Sequence, residues 1–407
     1  MSAAVRASAA ARPAPSPGTR HDPSQDGELL TLGLLAGSSL ENERRLPIHP
    51  SHLARIDPDI RARMIVEDGY ARDFPTGDQG LGALVGRVAS RAEVMEAADI
   101  LLLPKPQPEE LAAVPEHGIV WGWPHCVQDR AVTQTAIDRR LTLIAFEAMN
   151  HWTADGHFGL HVFHQNNELA GYASVLHALS LLGLSGDYGP RLSAAVIGFG
   201  STARGAVTAL HSQGVAAIDV LTHRGVAAVA APIRTARIIR LSTDEGPTPL
   251  SEVATEQGPV PLPEFLAEHD IVINCTLQDV AAPVTFLRTA DLAPFAPGSL
   301  IIDVSCDEGM GFEWALPTTF DAPMFTIGEN VHYYAVDHSP SYLWNSATWG
   351  ISEALLPFLR TVMSGPAAWE RSATITRAIE IRDGVIENPS ILDFQGRASA
   401  YPHEPTD

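Results

Sequence analysis

Ser193-Ala194-Ala195-Val196-Ile197-Gly198-Phe199-Gly200-Ser201-Thr202-Ala203-Arg204-Gly205 is the stretch from which the rest of the chain can be placed. Its first five residues, mostly small and apolar, read as a buried strand, a G-x-G-x-x-A turn follows at once, and a helical pattern begins at Ser201. Both flanks matter. Gly198 permits the tight turn, Gly200 leaves room for a pyrophosphate against the backbone, and Ala203 lets helix and strand approach closely. The first helical amides, at Ser201 and Thr202, then meet the phosphates. A glycine turn of this kind can be purely structural, so the next strand decides the reading.

That strand, AIDVLTHR, is expected to end near Leu221, where an acidic residue commonly accepts the ribose hydroxyls of NAD. Thr222, His223 and Arg224 stand there instead, and Asp219 falls inside the strand. A neutral to cationic rim suits an added 2′-phosphate, so NADPH is the expected cofactor and NADH the second choice. The strands DIVINCTL and SLIIDVSC continue the unit to TTFDAPMFTIG. Upstream, LLTLGLL, ADILLLPKP, HGIVWGWPH and LTLIAFEA alternate with helix-length segments. Such alternation implies crossover connections and a mostly parallel sheet, hence an α/β fold. Residues 168–184, ELAGYASVLHALSLLGL, predict one long apolar helix joining the two α/β runs.

The 407 residues carry a formal net charge of −21 and no Lys/Arg-rich run, which argues against coating a nucleic acid. No stretch supplies the ~20 uninterrupted apolar residues that span a bilayer, so no membrane partner is expected. Cys126, Cys275 and Cys306 stand far apart without CxxC spacing, which fits a reducing, cytoplasmic setting. Residues 1–27 are rich in Ala, Pro and Ser and are expected to form a disordered tail; Pro13, Pro15 and Pro17 interrupt any amphipathic targeting helix.

Three polar residues of the first half fall beside predicted strand ends: Arg45 in ENERRLPIHP, Lys105 in LLLPKPQP and His125 in WGWPHCVQD. A guanidinium can clamp a carboxylate with two hydrogen bonds, a lysine can bind a second acid or exchange a proton, and an imidazole titrates near neutrality. Each alone reads as readily as a solvated cation or a structural histidine. In DVSCDEG, Asp303 and Asp307 close an apolar strand on the side where open α/β sheets bind ligands. Glu168, Asp337 and His338 are further candidates for substrate contact. His157, His161 and His164 have helical spacing, but Gly156 and Gly159 and the lack of an HExxH or Cys partner argue against a metal.

With these residues in hand, the chain resembles the alanine dehydrogenase and lysine-forming saccharopine dehydrogenase superfamily over residues 30–360, and within it most of all carboxyethylornithine synthase. ENERRLPIHP is similar to the family's opening strand with its substrate-binding arginine, which places that role on Arg45. PKPQP matches its lysine, Lys105; WPHCVQD matches its acid/base histidine, His125; DVSCDEG carries its aspartate as Asp307. The INC segment implies cofactor contacts at Cys275 and Thr276, beside those of Gly198, Gly200 and Ala203. Asp337 stands where alanine dehydrogenases carry Asn, which implies a larger, cationic amine.

The resemblance implies two Rossmann-like domains with parallel sheets and a cleft between them. The first would be discontinuous, with a substrate domain of residues 28–167 and 335–407 and a dinucleotide domain of residues 168–334. It further implies NADPH-dependent reductive condensation of pyruvate, or a similar 2-oxo acid, with the side-chain amine of ornithine or a related diamino acid. Saccharopine or alanine dehydrogenase activity is the alternative within the family, and a non-catalytic nucleotide-sensing protein the alternative outside it. The expected partners are a small-molecule 2-oxo acid and an amino acid, with a homo-oligomer left open.

Overall fold

The runs Ile100–Leu102, Thr142–Ala145, Ile271–Asn274 and Leu300–Asp303 are buried along their whole length, as strands must be when helices cover both faces of a parallel sheet. In the computed structural model, which describes residues 28–224, 235–244, 251–278 and 283–406, they lie in two separate sheets. The tail 1–27 lies outside the described residues.

The first sheet is built from β1 (Leu32–Leu34), β2 (Met64–Glu67), β3 (Arg87–Ala89), β4 (Ile100–Leu102), β5 (Ile119–Gly122) and β6 (Thr142–Ala145). The chain next forms the hairpin of β7 (Asn150–Trp152) and β8 (Phe158–His161). A second sheet holds β9 (Ser193–Ile197), β10 (Ala217–Thr222), β11 (Arg237–Thr243), β12 (Ser251–Thr255), β13 (Gly258–Pro261), β14 (Ile271–Asn274), β16 (Leu300–Asp303), β18 (Met324–Ile327) and β19 (Val331–Tyr334). A small separate pair is formed by β15 (Thr285–Leu287) and β17 (Gly311–Phe312). Two late strands, β20 (Ile379–Arg382) and β21 (Val385–Ile386), return to the first sheet.

The orders are β21-β20-β6-β5-β4-β1-β2-β3 and β13-β12-β11-β10-β9-β14-β16-β19-β18. Strands β1 to β6 pair in parallel, as do β10, β9, β14, β16 and β19; only the outer strands turn antiparallel. The order reverses at β1 in one sheet and at β9 in the other. Ligands of open α/β sheets bind beyond the carboxyl ends at such reversals, and the candidate residues lie on the loops there.

Helices α1 (Arg130–Asp138), α2 (His164–Leu182), α3 (Ser201–Ser212), α4 (Trp344–Leu355) and α5 (Pro389–Gln395) complete what the site needs. The long helix α2 begins four residues before the expected Glu168, because Phe163 is already fixed by stacking on Phe146, with ring centroids 4.6 Å apart. It ends on Gly183 in the left-handed conformation. The stretch after Tyr333 returns to the first domain: Ile351, Leu355, Leu359 and Val362 share a core with Leu32, Leu34 and Ile100, and β20 pairs antiparallel to β6. That discontinuity was expected; the surface used was not legible, since an apolar helix face fits either core.

Helices α2 and α3 touch backbone to backbone. A Cβ on Gly205 would lie 1.7 Å from the Glu168 carbonyl oxygen, and one on Gly171 would lie 2.0 Å from that of Thr202. Gly205→Ala is therefore expected to cost about 1–3 kcal/mol of stability by overpacking. If the first amides of α3 meet the phosphates as the sequence predicts, it should also weaken dinucleotide binding; urea midpoints and cofactor titration measure both.

Candidate active site

Arg45 lies on the loop after β1 and is 3% exposed. Its Nε donates to Glu43 Oε1 at 2.8 Å and Oε2 at 3.1 Å, and NH2 completes the fork on Oε2. Glu43 Oε1 also accepts from the Ser341 hydroxyl at 2.9 Å. Burial disfavours the Glu43 charge, yet the Arg45 guanidinium beside it wins and holds the carboxyl below its usual range. The guanidinium faces the Trp123 ring at 5.3 Å. Among the described residues its NH1 makes no hydrogen bond, which leaves a donor for a ligand carboxylate.

Lys105 follows β4 in a bend between Pro104 and Pro106, whose fixed φ angles restrict this short loop. Its Nζ donates to Asp337 Oδ2 at 2.9 Å, tying the loop after β4 to the segment that follows β19. The Lys105 charge is the main cause that holds the Asp337 carboxyl far below the usual carboxylate range.

His125 follows β5 with φ 48°, a left-handed conformation that costs a non-glycine residue about 1–2 kcal/mol. Its backbone N–H donates to Glu147 Oε1 at 2.8 Å, and its carbonyl accepts from the amides of Gln128 and Asp129 at 3.1 and 2.9 Å. Burial, with the Lys105 and Arg45 charges added, pushes the imidazole down to about 3 against the pull of Asp337, so it is neutral near pH 7.

Glu147 is raised to about 8, first by burial and then by the charge of Glu380. Its Oε2 is buried with no partner among the described residues. Because its folded value lies above the ~4.3 of an unfolded carboxyl, the native state binds the extra proton and loses that stability as pH rises from about 4.3 to about 8. Glu147→Gln imitates the protonated acid and lacks this loss. The expected result is that the stability of the wild type relative to the variant falls between pH 5 and pH 8, read from urea midpoints.

On the second domain, Gly198 has φ 109°, and a Cβ there would lie 2.9 Å from the Cys275 carbonyl oxygen. Gly200 caps α3, and a Cβ on it would meet nothing within 4 Å. Ala203 is fully buried, and α3 has no acidic residue in its first turn. An open glycine before an uncrowded helix N-terminus fits a pyrophosphate, so these residues suit a dinucleotide. Across the turn, Thr276 bonds Asn274 Oδ1 through its amide at 3.2 Å and its hydroxyl at 2.7 Å, while Cys275 presents backbone to Gly198 and buries its thiol.

Strand β10 ends at Thr222, one residue beyond the expected Leu221. Thr222 Oγ1 accepts the Arg224 amide at 3.1 Å, and His223 and Arg224 are exposed. Asp219 is bound by Arg237 at 2.8 and 2.6 Å and by His269 at 3.2 Å, which removes it as a ribose acceptor.

Asp303 is buried, accepting from Asn274 Nδ2 at 3.0 Å, the Cys306 amide at 3.1 Å and the Tyr333 hydroxyl at 2.9 Å. It thereby fixes the turn that carries Asp307, whose carboxyl is raised by burial and by the charge of Asp337. His338 is 4% exposed, with Nε2 on the Glu41 carbonyl at 2.6 Å. Only its other nitrogen is left for a ligand.

Arg45, Lys105, His125, Asp307 and Asp337 are thus drawn to one place by loops at the carboxyl ends of both sheets, and the charges of Lys105, Arg45 and Asp337 all act on His125. Glu168 lies in the first turns of α2, its backbone packed against Gly205. His157 and His161 lie in or beside the β7–β8 hairpin and only His164 on α2, so the three do not share one helix face. Sequence reasoning missed Glu43, Glu147 and Tyr333. Glu43 was findable as an acid two residues before Arg45; the others come from distant segments.

Two α/β sheets, a glycine turn after β9 that fits a phosphate and a cationic and imidazole cluster on the loops after β1, β4 and β5 point to a dinucleotide-dependent oxidoreductase. Comparison with known proteins makes the class narrower. Residues 38–170 match the family "Alanine dehydrogenase/PNT, N-terminal domain" and residues 195–389 match "Alanine dehydrogenase/PNT, C-terminal domain". The chain belongs to the alanine dehydrogenase/PNT family and is an NAD(P)-dependent oxidoreductase acting on C–N bonds.

Alanine dehydrogenase of Mycobacterium tuberculosis is 25% identical over 335 residues, 78% of this chain and 84% of that protein. N(5)-(carboxyethyl)ornithine synthase of Lactococcus lactis is 23% identical over 337 residues, 80% of this chain and 93% of that protein. These identities do not separate the two enzyme types. A solved L-alanine dehydrogenase superposes with a TM-score of 0.71 at 16% identity, covering 90% of this chain and 99% of that one. A transhydrogenase from Sinorhizobium meliloti superposes with 0.63 at 18%, covering 88% and 99%. Both share the fold.

Proposed function

We propose that the protein catalyses reversible reductive amination of a small 2-oxo acid, with pyruvate the first substrate to test. The reading is supported by the convergence of Arg45, Lys105 and His125 on loops at the carboxyl ends of the first sheet, in a chain whose second sheet carries the Gly198–Gly200 turn. Arg45 holds the substrate carboxylate through its unused NH1, with Glu43 fixing the plane of the guanidinium. Lys105 donates to the oxygen at C2, and the neutral imidazole of His125 exchanges the proton that leaves or joins as water is lost and the imine forms. Asp307 orients the incoming amine. A reduced nicotinamide dinucleotide, held by the Gly198–Gly200 turn and the first amides of α3, would supply the hydride chemistry of the reduction.

For the amine, the nearer reading is ammonia, giving alanine, because alanine dehydrogenases stand among the relatives of highest identity. A second reading, the side-chain amine of ornithine or a related diamino acid, is favoured by Asp337, a carboxylate that can accept a cationic amine from Lys105. The test supplies reduced cofactor and pyruvate or 2-oxoglutarate with ammonia, ornithine or lysine in turn. Rapid oxidation with pyruvate and ammonia supports the first reading, a strict need for ornithine the second. Cofactor binding without turnover of any pair defeats both and returns the protein to a sensing role.

NADPH is the proposed cofactor, since Thr222, His223 and Arg224 offer no ribose-binding acid. Thr222→Asp is expected to reverse the preference, raising the NADPH dissociation constant about tenfold or more relative to that of NADH. Equal affinities of the wild type for both cofactors overturn this choice.

A further inference from the structure

The loop that carries His125 is held from behind by the end of the chain. Beyond residue 389, where the family match stops, α5 places Gln395 beneath this loop with 2% of its surface exposed. Its Nε2 donates to the Cys126 carbonyl at 2.7 Å, the Val127 carbonyl at 3.2 Å and the Thr133 hydroxyl at 3.3 Å. The Thr133 hydroxyl donates to the same Cys126 carbonyl at 2.7 Å. On the other side, Gln395 Oε1 accepts from Arg397 Nε at 2.7 Å, and its backbone carbonyl from Arg130 NH1 at 2.7 Å. Arg397 is itself buried and tied to Gln134 Oε1 at 2.8 Å and the His403 carbonyl at 3.2 Å.

The amide of Gln395 therefore has its orientation fixed by Arg397, so that NH2 and not oxygen faces the loop carbonyls. A buried carbonyl without a donor costs about 1–3 kcal/mol, and the left-handed His125 survives only where surrounding structure over-determines it. Glu147 pins the amide of His125 on one side. Gln395 pins the next two carbonyls on the other.

We propose that Gln395 is a positioning residue for His125: the C-terminal segment, through the Gln395 amide, locks the Trp123–Asp129 loop so that the imidazole is held at the reacting atoms. This rests on the acid/base role proposed for His125. Arg45 and Lys105 stand on other loops, so substrate clamping does not depend on Gln395.

Gln395→Met keeps the length and apolar volume of the side chain and removes the donor. In full-length protein it is expected to lower kcat at least tenfold with pyruvate and the amine that is turned over. KM for pyruvate and the cofactor dissociation constant should stay within twofold. Hydrogen exchange of the 123–129 amides should rise while that of residues 193–212 is unchanged. The acid limb of the pH profile should move up, since a loosened imidazole regains solvent around Lys105, Arg45, Asp337 and Glu147. Thr133→Val, which removes the second donor to Cys126, should show the same pattern with a smaller fall.

Unchanged kcat in Gln395→Met, with His125→Ala inactive, overturns the inference alone. Full activity in both variants overturns the role of His125 and the inference with it. A parallel loss of cofactor binding and of protection in residues 193–212 assigns Gln395 to general stability and also overturns it.

Discussion

His125→Ala is expected to lower kcat by about 10²–10⁴-fold, the usual contribution of a positioned acid/base group, while the cofactor dissociation constant stays within about twofold. The separation follows from where the parts lie. The imidazole follows β5 on the first sheet, and the glycine turn proposed to bind the cofactor follows β9 on the second. Steady-state kinetics and cofactor fluorescence titration measure the two quantities. The ring is neutral near pH 7, so the loss should be flat across the neutral range rather than confined to one side of pH 6.5. Turnover within threefold of wild type removes His125 from the reaction.

Arg45→Met is expected to destabilise the protein by about 3–5 kcal/mol, because it strands the buried Glu43 carboxylate without its partner. The pH dependence follows from the direction of the Glu43 shift. Its folded value lies below the unfolded ~4.3, so the stability it contributes is present above that value and lost as pH falls through the folded one. In Arg45→Met the carboxyl is expected to take up a proton instead, and the stability difference from wild type should shrink on acidification. Arg45→Met with Glu43→Gln should recover much of the loss in urea midpoint but not substrate affinity. A double variant as unstable as the single one would mean that the buried charge is not the cause.

The turn of Gly198 and Gly200 with Ala203 behind it was legible because such a turn is local: three residues, the strand before and the helix after fix the backbone geometry. Lys105 and His125 were legible as types beside strand ends, but their neighbours Asp337 and Glu147 lie 232 and 22 residues away in sequence. Only the fold, which brings the segment after β19 against the loop after β4, decides that Asp337 meets Lys105. The roles of Asp219 and His338 were open for the same reason: an acid inside a strand and a histidine after one do not announce that Arg237, His269 and the Glu41 carbonyl will engage them.

The sequence by itself determined the alternation of short buried strands and helices, the glycine turn between β9 and α3 and the acidic character of the chain, since each rests on local pattern or on composition. The tertiary structure alone decided that the last helices cover the first sheet, that Glu43 and Glu147 fix Arg45 and His125, and that Gln395 braces the histidine loop. The physical reason is that a buried polar group must find its partner wherever the fold brings one within about 3 Å, and chain separation carries no record of that meeting.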